Sequence, residues 1–568
     1  MITVGLNACI VNDDDEIRYV DGGGVCIFKD NHIAAAITEE RLSYIKYDGG
    51  FKKSLPYVLE SCNLSLEDVD QFVVSFYGVS INVPQFLIDH IKKEIGINEK
   101  QSLIVIPTHH LSHAYAAYFS SGYDSALIII NDNEGQIIGE KTSPYMFENT
   151  CERNSYYIGN KDKIKLVDRD FDYPYALGFG KLYNKITTYL GLGNYHNAGK
   201  TMGLSSYGSG AFENIGDAYR MDYDGNLHCI IEDTGDTEKD IKNLFSKLSV
   251  TIPDSRKRNE PLKQIHADMA EYIQKQLEKW TRVRAEFLLN KYNLSNICVG
   301  GGVALNCLSN SQLLDIKRVE SVYVPSAPQD QGLCIGNALY GVIEDMKERN
   351  IPVSPNFNIP LYLGKEYRIK QEDLRIINKK YKGLTFKEMD NITTVGAKLL
   401  SEGKVIGWYQ GKSEFGPRAL GNRSILADPR DKLVMNRLNL EIKKREAFRP
   451  FAPSVILEKT SEYFINFRER SPSMMFTATV NPDKRNLLSA ITHIDGTARL
   501  QTVQECDNEL YYKLIKKFGE ITGVYVVLDT SFNLNGMPIV ETPEDAISCF
   551  AESNLDALIL DNYLIWRI

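Results

Sequence analysis

Residues 22–40 read GGGVCIFKDNHIAAAITEE and contain two apolar runs, VCIF and IAAAI, separated by Asp30 and Asn31. Asp and Asn tolerate the backbone conformations of tight turns, so this stretch predicts the two strands of a hairpin. The preceding stretch ITVGLNACI, residues 2–10, is a third apolar run and predicts a buried strand. The chain therefore begins with three strands joined by short connections.

Further β-rich runs follow this hairpin and alternate with helical stretches. An amphipathic pattern over residues 262–291 places Ile265, Met269, Ile273 and Leu277 at helical spacing, just before the strand-like run NICVGG. Strands followed by helices that can cover them predict an α/β fold. The other runs of this kind are DQFVVSF (70–76), LIVIP (103–107), SALIIIND (125–132) and SVYVPS (321–326).

A linker is predicted at residues 351–360, where IPVSPNFNIP carries three prolines and shows little periodicity. It divides the chain into a first domain over residues 1–355 and a second α/β domain over residues 356–568. We find no internal sequence repeat and no low-complexity tract.

The overall composition narrows the classes of function. The 568 residues carry a net charge of −9, which argues against a general nucleic-acid-binding protein. The ten cysteines form no Cys-x-x-Cys pair, so we expect reduced thiols in a reducing compartment. The N-terminus lacks the basic and apolar regions of a signal peptide, and no apolar run is long enough to cross a bilayer. We therefore expect a cytoplasmic protein with no membrane partner.

A metal-binding pattern lies in the first domain, in THHLSHAYAAYF (108–119). The Ala-rich run predicts a helix, on which His109 and His113 share one face at the spacing that two imidazoles need to hold one ion. Asp132 follows an apolar run, and Asp330 follows the strand SVYVP. Two histidines and two carboxylates suit Fe(II), Zn(II) or Mn(II), although His pairs at this spacing also occur on ordinary helix surfaces.

Three glycine-containing loops of the first domain are candidates for phosphate binding. VGGGVALN (299–306) includes Gly301, Gly302 and Asn306 and leads from a strand towards a helix. Residues 21–24 read DGGG, and NAGKTMGLSSYG (197–208) contributes Lys200. Glycines allow close backbone approach to an anion, and a helix N-terminus favours negative charge. Tight turns use glycine in the same way, so each loop alone leaves both interpretations open.

Cations concentrate in the second domain, beside turn residues rather than in a mixed helical charge run. This pattern favours clamps on phosphate oxygens over a solvated face or a nucleic-acid-binding surface. Two later turns add Arg499, as a clamp for an acyl-phosphate, and Ser531 and Asn533, as ligands of phosphate or ribose; ordinary turn and cap chemistry explains each of them equally well. The cations are Lys412, Arg418, Arg423, Arg430, Lys443, Lys444, Arg445 and Arg449.

Taken in order, these motifs resemble the antibiotic-type and nodulation-type O-carbamoyltransferase family over nearly the whole chain. The first half contributes EER with a downstream Lys (39–46) and HHLSHA (109–114). The longest matches are in the second half: EFGPRALGNRSILADPR (414–430), REAFRPFAPS (445–454), HIDGTARLQTV (493–503) and TSFNLNGMPIVETP (530–543).

The resemblance implies an actin-like ATPase superfold for the first domain and a second domain similar to carbamoyl-adenylate-forming proteins. It assigns the metal ligands to His109, His113, Asp132 and Asp330, with Fe(II) as the expected ion. It also implies ATP with Mg²⁺, carbamoyl phosphate and a hydroxylated small-molecule acceptor; a homodimer is compatible with it. The implied nucleotide and carbamoyl-phosphate residues of the second domain are Lys412, Arg418, Lys443, Arg449, Met474, Arg499 and Ser531.

The implied reaction has two steps, with carbamoyl-adenylate made in the second domain and the carbamoyl group transferred to a hydroxyl in the first. For the transfer step we expect Lys200, Gly301 and Gly302 to hold the nucleotide part, and Lys46 to steady a phosphate. Two other functions stay open: carbamoylation of a nitrogen or of a macromolecule, and a regulator that binds nucleotide without catalysis.

Three departures from the family pattern affect these assignments. The His-Asp that is common after the first strand is Asp21-Gly22 here, so Asp21 must serve as the base or the role is absent. The motif DGxGE reads DNEGQ at residues 132–136, which keeps the ligand and alters its neighbours. Lys412 stands where Arg is usual, which replaces a bidentate clamp by a point charge.

Overall fold

The computed structural model describes residues 1–8, 10–13, 16–139, 143, 146–381, 383–467 and 470–568. The chain divides into two compact units. The first comprises Met1–Glu39 and Tyr47–Ile359, and the second comprises Glu40–Lys46 and Pro360–Ile568. A seven-residue segment from the N-terminal part of the sequence thus belongs to the second unit, which the linker at residues 351–360 did not predict.

The first unit contains fourteen strands among the described residues. They are β1 (Thr3–Asn7), β2 (Ile10–Asp13), β3 (Glu16–Tyr19), β4 (Gly24–Lys29), β5 (His32–Thr38), β6 (Gln71–Ser75), β7 (Ser102–Val105), β8 (Ser125–Asn131), β9 (Asn154–Asn160), β10 (Lys163–Asp170), β11 (Tyr219–Met221), β12 (Leu227–Cys229), β13 (Asn296–Gly300) and β14 (Ser321–Tyr323). The predicted turn is present between β4 and β5, where Asp30 and Asn31 both have positive φ. The hairpin of β2 and β3 was not predicted.

Ten α-helices accompany these strands in the part of the first unit that the structure describes. They are α1 (Glu39–Ser43), which runs into the second unit, α2 (Ser54–Ser61), α3 (Gln85–Ile95), α4 (His109–Phe119), α5 (Phe179–Tyr189), α6 (Ala198–Ser205), α7 (Thr237–Lys247), α8 (Gln264–Tyr292), α9 (Cys307–Leu314) and α10 (Leu333–Glu348). The helix predicted over residues 262–291 is α8, which buries Met269, Ile273 and Leu277.

Two sheets of the first unit share one topology. The first sheet has the order β5-β4-β1-β6-β7 and the second has the order β10-β9-β8-β13-β14. In each, three antiparallel strands are followed by two strands parallel to the first. A repeated five-stranded sheet of this order defines the actin-like ATPase superfold, which confirms the predicted fold class. The structural repeat exists without a detectable sequence repeat.

The second unit is built around one mixed sheet of ten strands, in the order β15-β24-β23-β16-β17-β22-β18-β21-β20-β19. The strands are β15 (Leu384–Glu388), β16 (Ile406–Tyr409), β17 (Arg423–Ala427), β18 (Ala452–Ile456), β19 (Phe464–Ile465), β20 (Phe476–Val480), β21 (Thr497–Val503), β22 (Val526–Ser531), β23 (Ala557–Leu560) and β24 (Tyr563–Arg567). The helices are α11 (Gln371–Lys380), α12 (Ile392–Ser401), α13 (Lys432–Asn436), α14 (Thr460–Tyr463), α15 (Glu509–Thr522) and α16 (Pro543–Glu552).

The cysteines and the possible membrane-spanning helices can be assessed in the described part of the chain. Nine cysteines are free thiols there, and Cys9 lies outside the described part of the chain. Within that part, no helix combines the length and the apolar character that crossing a membrane requires.

Candidate metal and anion sites

Helix α4 places two imidazoles side by side in the interior of the first unit. The Thr108 hydroxyl caps the helix by accepting a hydrogen bond from the Leu111 backbone N–H at 3.2 Å. The Gln136 side chain accepts one from the backbone N–H of His109 at 3.0 Å. His109 and His113 are almost fully buried, and their ring centroids lie 4.9 Å apart. The i, i+4 spacing therefore brings both rings to one point.

Two carboxylates complete this arrangement. Asp132 directly follows β8, and Asp330 begins the short turn that leads into α10. Nε2 of His113 lies 3.2 Å from Oδ2 of Asp132 and 3.4 Å from Oδ1 of Asp330. Nε2 of His109 lies 3.3 Å from the same Asp330 oxygen and 3.8 Å from Asp132. One ligand atom from each residue falls within 4.8 Å of the others. We call these four residues the His–Asp cluster.

The chemistry of the His–Asp cluster fits a divalent cation. Burial lowers the pKa of His109, but the carboxylates of Asp330 and Asp132 outweigh it and raise that pKa to about 10. Burial raises the pKa of Asp132, but the close imidazoles of His109 and His113 bring it well below its usual range. Although they lie 3.2 Å apart, Oδ2 of Asp132 and Nε2 of His113 are buried and make no hydrogen bond of good geometry among the described residues. The carboxylates thus stabilise positive charge at this point, and a divalent ion that displaced the ring protons would be held by two imidazoles and two carboxylates, a ligand set for a transition metal.

Glycines allow the elements around the cluster to approach closely. A Cβ atom on Gly336 of α10 would lie 2.0 Å from the carbonyl oxygen of Ser112 on α4. Gly301 has φ +86°, and a Cβ atom on Gly302 would lie 3.1 Å from Oδ1 of Asp132. The loop after β13, predicted to bind phosphate, therefore lies directly beside a member of the cluster.

Asp21 lies near the His–Asp cluster, because the next residue, Gly22, is linked to Asp330 by a shared partner. The side-chain amide of Asn7 donates to the carbonyl oxygens of both Gly22 and Asp330, at 2.8 and 2.9 Å. Nε2 of His196 lies 3.2 Å from Oδ1 of Asp21. An imidazole thus accompanies the carboxylate that stands where the family pattern has His.

His196 was not predicted from the sequence as a site residue. Its ring lies parallel to that of Tyr47, with centroids 3.8 Å apart and an interplanar angle of 6°. The Tyr47 hydroxyl donates to the backbone carbonyl of His196 at 3.3 Å. The His196 side chain is 17% exposed, so solutes can reach it while the stacking holds its plane. Its flanking sequence NYHN contains no recognisable spacing, and only folding brings it to Asp21.

Two predicted nucleotide ligands of the first unit have different surroundings. Asn306 caps α9 by accepting a hydrogen bond from the Ser309 backbone N–H at 3.0 Å. The amides of Asn306 and Gln274 also bond to each other in both directions, at 2.8 and 3.0 Å. Its side chain therefore has partners within the protein, and its contact with nucleotide stays a prediction. Lys200 lies in the first turn of α6 and is partly exposed.

In the second unit, Lys443 is buried against the turn that follows β22. Its ammonium group donates to the backbone and side-chain oxygens of Asn533, at 2.9 and 2.7 Å, and to the backbone oxygen of Ser531. The Ser531 hydroxyl donates to the same Asn533 side-chain oxygen at 2.7 Å. Three of the residues predicted to bind phosphate or nucleotide therefore form one connected group.

Further cations surround Lys443 and change its titration. Burial lowers the pKa of Lys443 well below its usual value, and the charges of Arg445, Arg449 and Lys46 lower it further. Burial, Arg449 and Arg499 lower the pKa of Arg445 to about 9. We call these five residues the cation cluster. Their repulsion would be relieved by a bound anion. Lys46 belongs to the second unit here, whereas the prediction placed its role in the first.

Arg423 is not arranged as a phosphate clamp. Its guanidinium group is fully buried, 3.6 Å above the ring centroid of Tyr409. It donates to the backbone carbonyls of Gln410 at 2.7 Å, Asn422 at 3.0 Å and Gly411 at 3.0 Å. These bonds hold the loop of residues 410–422, which joins β16 to β17 and which we call the anion loop. Arg423 thus stabilises the loop, and its contact with nucleotide stays a prediction.

The remaining predicted residues lie on or near the anion loop. Lys412 is exposed on it, and Arg418 is partly exposed. Met474 is buried against Leu420 and Ala452 and has φ +60°, a backbone conformation that costs free energy in a residue other than glycine. Such strain is characteristic of binding sites.

The family of the chain follows from direct comparison. Residues 79–339 match the family described as Carbamoyltransferase N-terminus, and residues 397–567 match Carbamoyltransferase C-terminus. The chain belongs to the carbamoyltransferase family and is an enzyme of that class. This agrees with the resemblance inferred from its motifs.

Two relatives identified by sequence support this membership, and one solved structure shows a weak likeness that adds nothing to it. Nodulation protein NolNO of Sinorhizobium fredii is 32% identical over 96% of this chain and 79% of its own length. The 3'-hydroxymethylcephem-O-carbamoyltransferase of Amycolatopsis lactamdurans is 32% identical over 47% of this chain and 48% of its own. Among solved structures, HypF of T. kodakarensis is 13% identical with a TM-score of 0.35, over 61% of this chain and 47% of that one.

Proposed function

We propose that this chain is an ATP-dependent O-carbamoyltransferase that activates the carbamoyl group in its second unit and transfers it in its first. The observation that carries the proposal is the cation cluster, in which burial and mutual repulsion depress the pKa values of Lys443 and Arg445. Such a cluster is stabilised by a polyanion, and two phosphate donors supply the required charge. The second observation is the His–Asp cluster of the first unit.

In the first step, water converts carbamoyl phosphate into carbamate and inorganic phosphate. A carbamate oxygen then attacks the α-phosphorus of ATP, and pyrophosphate leaves with the electrons of the broken P–O bond. Lys443 and Arg449 would neutralise the phosphates together with Mg²⁺, and Arg418, Lys412 and Arg499 would orient the donors. The product of this step is carbamoyl-adenylate.

In the second step, an acceptor hydroxyl attacks the carbamoyl carbon, and the bond between this carbon and the phosphate oxygen breaks to release AMP. The hydroxyl proton passes to the pair of His196 and Asp21, in which the carboxylate orients the imidazole and stabilises its charged form. A divalent ion held by the His–Asp cluster would supply Lewis-acid polarisation of an oxygen of the donor. The Gly301–Gly302 turn would let the nucleotide approach the backbone closely.

The test is release of pyrophosphate from ATP in the presence of carbamoyl phosphate and Mg²⁺. Arg418→Ala and Arg449→Ala should each reduce it at least tenfold, about 1.4 kcal/mol of transition-state stabilisation. Arg430→Ala is the matched control, because that guanidinium group already pairs with both Asp428 oxygens at 2.6–3.0 Å. Absence of release from the unaltered protein would refute the proposal, as would equal losses in all three variants.

The acceptor class is tested separately by mass spectrometry. Hydroxylated metabolites incubated with the protein, ATP and carbamoyl phosphate should gain one carbamoyl group on oxygen. Carbamoylation on nitrogen would retain the activation step and overturn the assignment of a hydroxyl acceptor.

A further inference from the structure

Arg41 is encoded near the start of the chain but lies in the second unit. It belongs to the segment Glu40–Lys46, which groups with residues 360–568. Its side chain is only 2% exposed, although the preceding and following parts of the sequence form the first unit. A buried guanidinium group in a segment of seven residues requires specific partners.

Its partners include the anion loop and two buried carboxylates. Nη2 of Arg41 donates to the carbonyl oxygen of Gly416 at 3.1 Å, across 375 residues of sequence. Nη1 lies 3.9 Å from Oε2 of Glu414 and 3.8 Å from Oε2 of Glu541. Both carboxylates are fully buried. The guanidinium group therefore supplies a positive charge beside two buried carboxyl groups.

Glu414 carries this interaction into the backbone of the anion loop. Its Oε1 accepts hydrogen bonds from the backbone N–H groups of Leu420 at 2.7 Å, Asn422 at 3.0 Å and Arg423 at 3.0 Å. Arg418 lies between Gly416 and Leu420. The chain on both sides of this predicted phosphate clamp is thus held, directly or through Glu414, by Arg41.

We infer that Arg41 is a positioning residue for the adenylation site, which fixes the anion loop so that Arg418 meets the phosphates. This inference rests on the proposed first step. Removing the guanidinium group would break its hydrogen bond to Gly416 and would take its charge away from two buried carboxyl groups, which is costly in a protein interior. The anion loop would then lose its fixed position, and a shift of about 1 Å at a positioning element can cost a hundredfold in rate.

The test compares pyrophosphate release by Arg41→Gln and by the unaltered full-length protein. We expect kcat/KM to fall at least tenfold while the protein stays folded. Arg41→Lys keeps the charge without the planar donor geometry, so it should recover part of the loss. The double variant Arg41→Gln/Glu414→Gln should lose less than the two single losses combined, because both side chains fix the same anion loop.

Arg284→Gln is the matched control. Arg284 is also a fully buried arginine, paired with Asp170 at 2.9 Å and Asp168 at 3.0 Å, but it lies in the first unit. It should leave pyrophosphate release unchanged even where it lowers the melting temperature.

Three outcomes distinguish failure of the proposed function from failure of the inference about Arg41. If the unaltered protein releases no pyrophosphate, the proposed function fails. If it does, and folded Arg41→Gln keeps normal kcat and KM, the inference about Arg41 is wrong. Strictly additive losses in the double variant would also overturn it, because they would show that Arg41 and Glu414 do not act on the same loop.

Discussion

One buried carboxyl group, Asp529 on β22, makes the free energy of unfolding of the second unit depend on pH in a way that can be calculated. Burial raises the pKa of Asp529 to about 8, the hydrogen bonds from Tyr511 and Ser424 oppose this rise, and the charge of Glu414 adds to it. The Tyr511 hydroxyl donates to Oδ2 at 2.9 Å, whereas Oδ1 is buried without a partner among the described residues. The folded protein therefore keeps this carboxyl protonated near neutral pH.

The sign and size of the effect follow from the proton balance. The unfolded chain loses this proton near pH 3.8, and the folded protein loses it near pH 8. Between these values the folded state holds one more proton, so stability decreases by about 1.4 kcal/mol per pH unit. From pH 5 to pH 7 the loss is about 2.7 kcal/mol, and above pH 8 this group adds no further loss.

The measurement is urea unfolding of Asp529→Asn and its parent, both carrying Trp280→Phe. Of the three tryptophans, Trp408 and Trp566 then report on the second unit alone. Asn cannot ionise, so the variant should gain about 2.7 kcal/mol over the parent between pH 5 and pH 7, while other titrating groups cancel in the difference. A difference that does not change with pH would refute the reasoning.

Two further predictions concern the first unit. His196→Ala should slow carbamoyl transfer about a hundredfold without changing pyrophosphate release, since only the proton acceptor is lost. Added imidazole should restore part of the rate. The control His228→Ala removes a partly exposed His–Asp pair on the β11–β12 hairpin and should have no effect on transfer. A normal transfer rate in His196→Ala would exclude His196 as the base. His113→Ala should lower transition-metal content measured by plasma mass spectrometry, because it removes one of four ligands. Unchanged metal content would remove His113 from the ligand set.

Local patterns were sufficient for much of the fold. The turn at Asp30 and Asn31 depends on residues adjacent in sequence, and the His109–His113 pair depends on a helical period, so both could be predicted. The hairpin β2–β3 could not, because the run of acidic residues at positions 13–16 of the sequence masks the strand pattern. The repeat of the two sheets was also hidden, since equal topology needs only equal burial and not equal side chains.

The candidate sites were harder to predict from the sequence than the fold, because they depend on contacts between residues far apart in the chain. Composition indicated an arginine-rich anion site, but it could not show that Arg423 turns inward to backbone carbonyls while Arg418 stays partly exposed. Asp21 and His196 are brought together only by folding. Arg41 lies in a motif that was noticed, yet its contact with Gly416 crosses 375 residues and leaves no periodic signal.

The division of labour between the two units is tested most directly by isotope exchange between pyrophosphate and ATP in the presence of carbamoyl phosphate. We expect His113→Ala to retain this exchange, because the cation cluster of the second unit is untouched, and Arg449→Ala to lose it. Loss of exchange in His113→Ala, or its persistence in Arg449→Ala, would contradict activation in the second unit and transfer in the first.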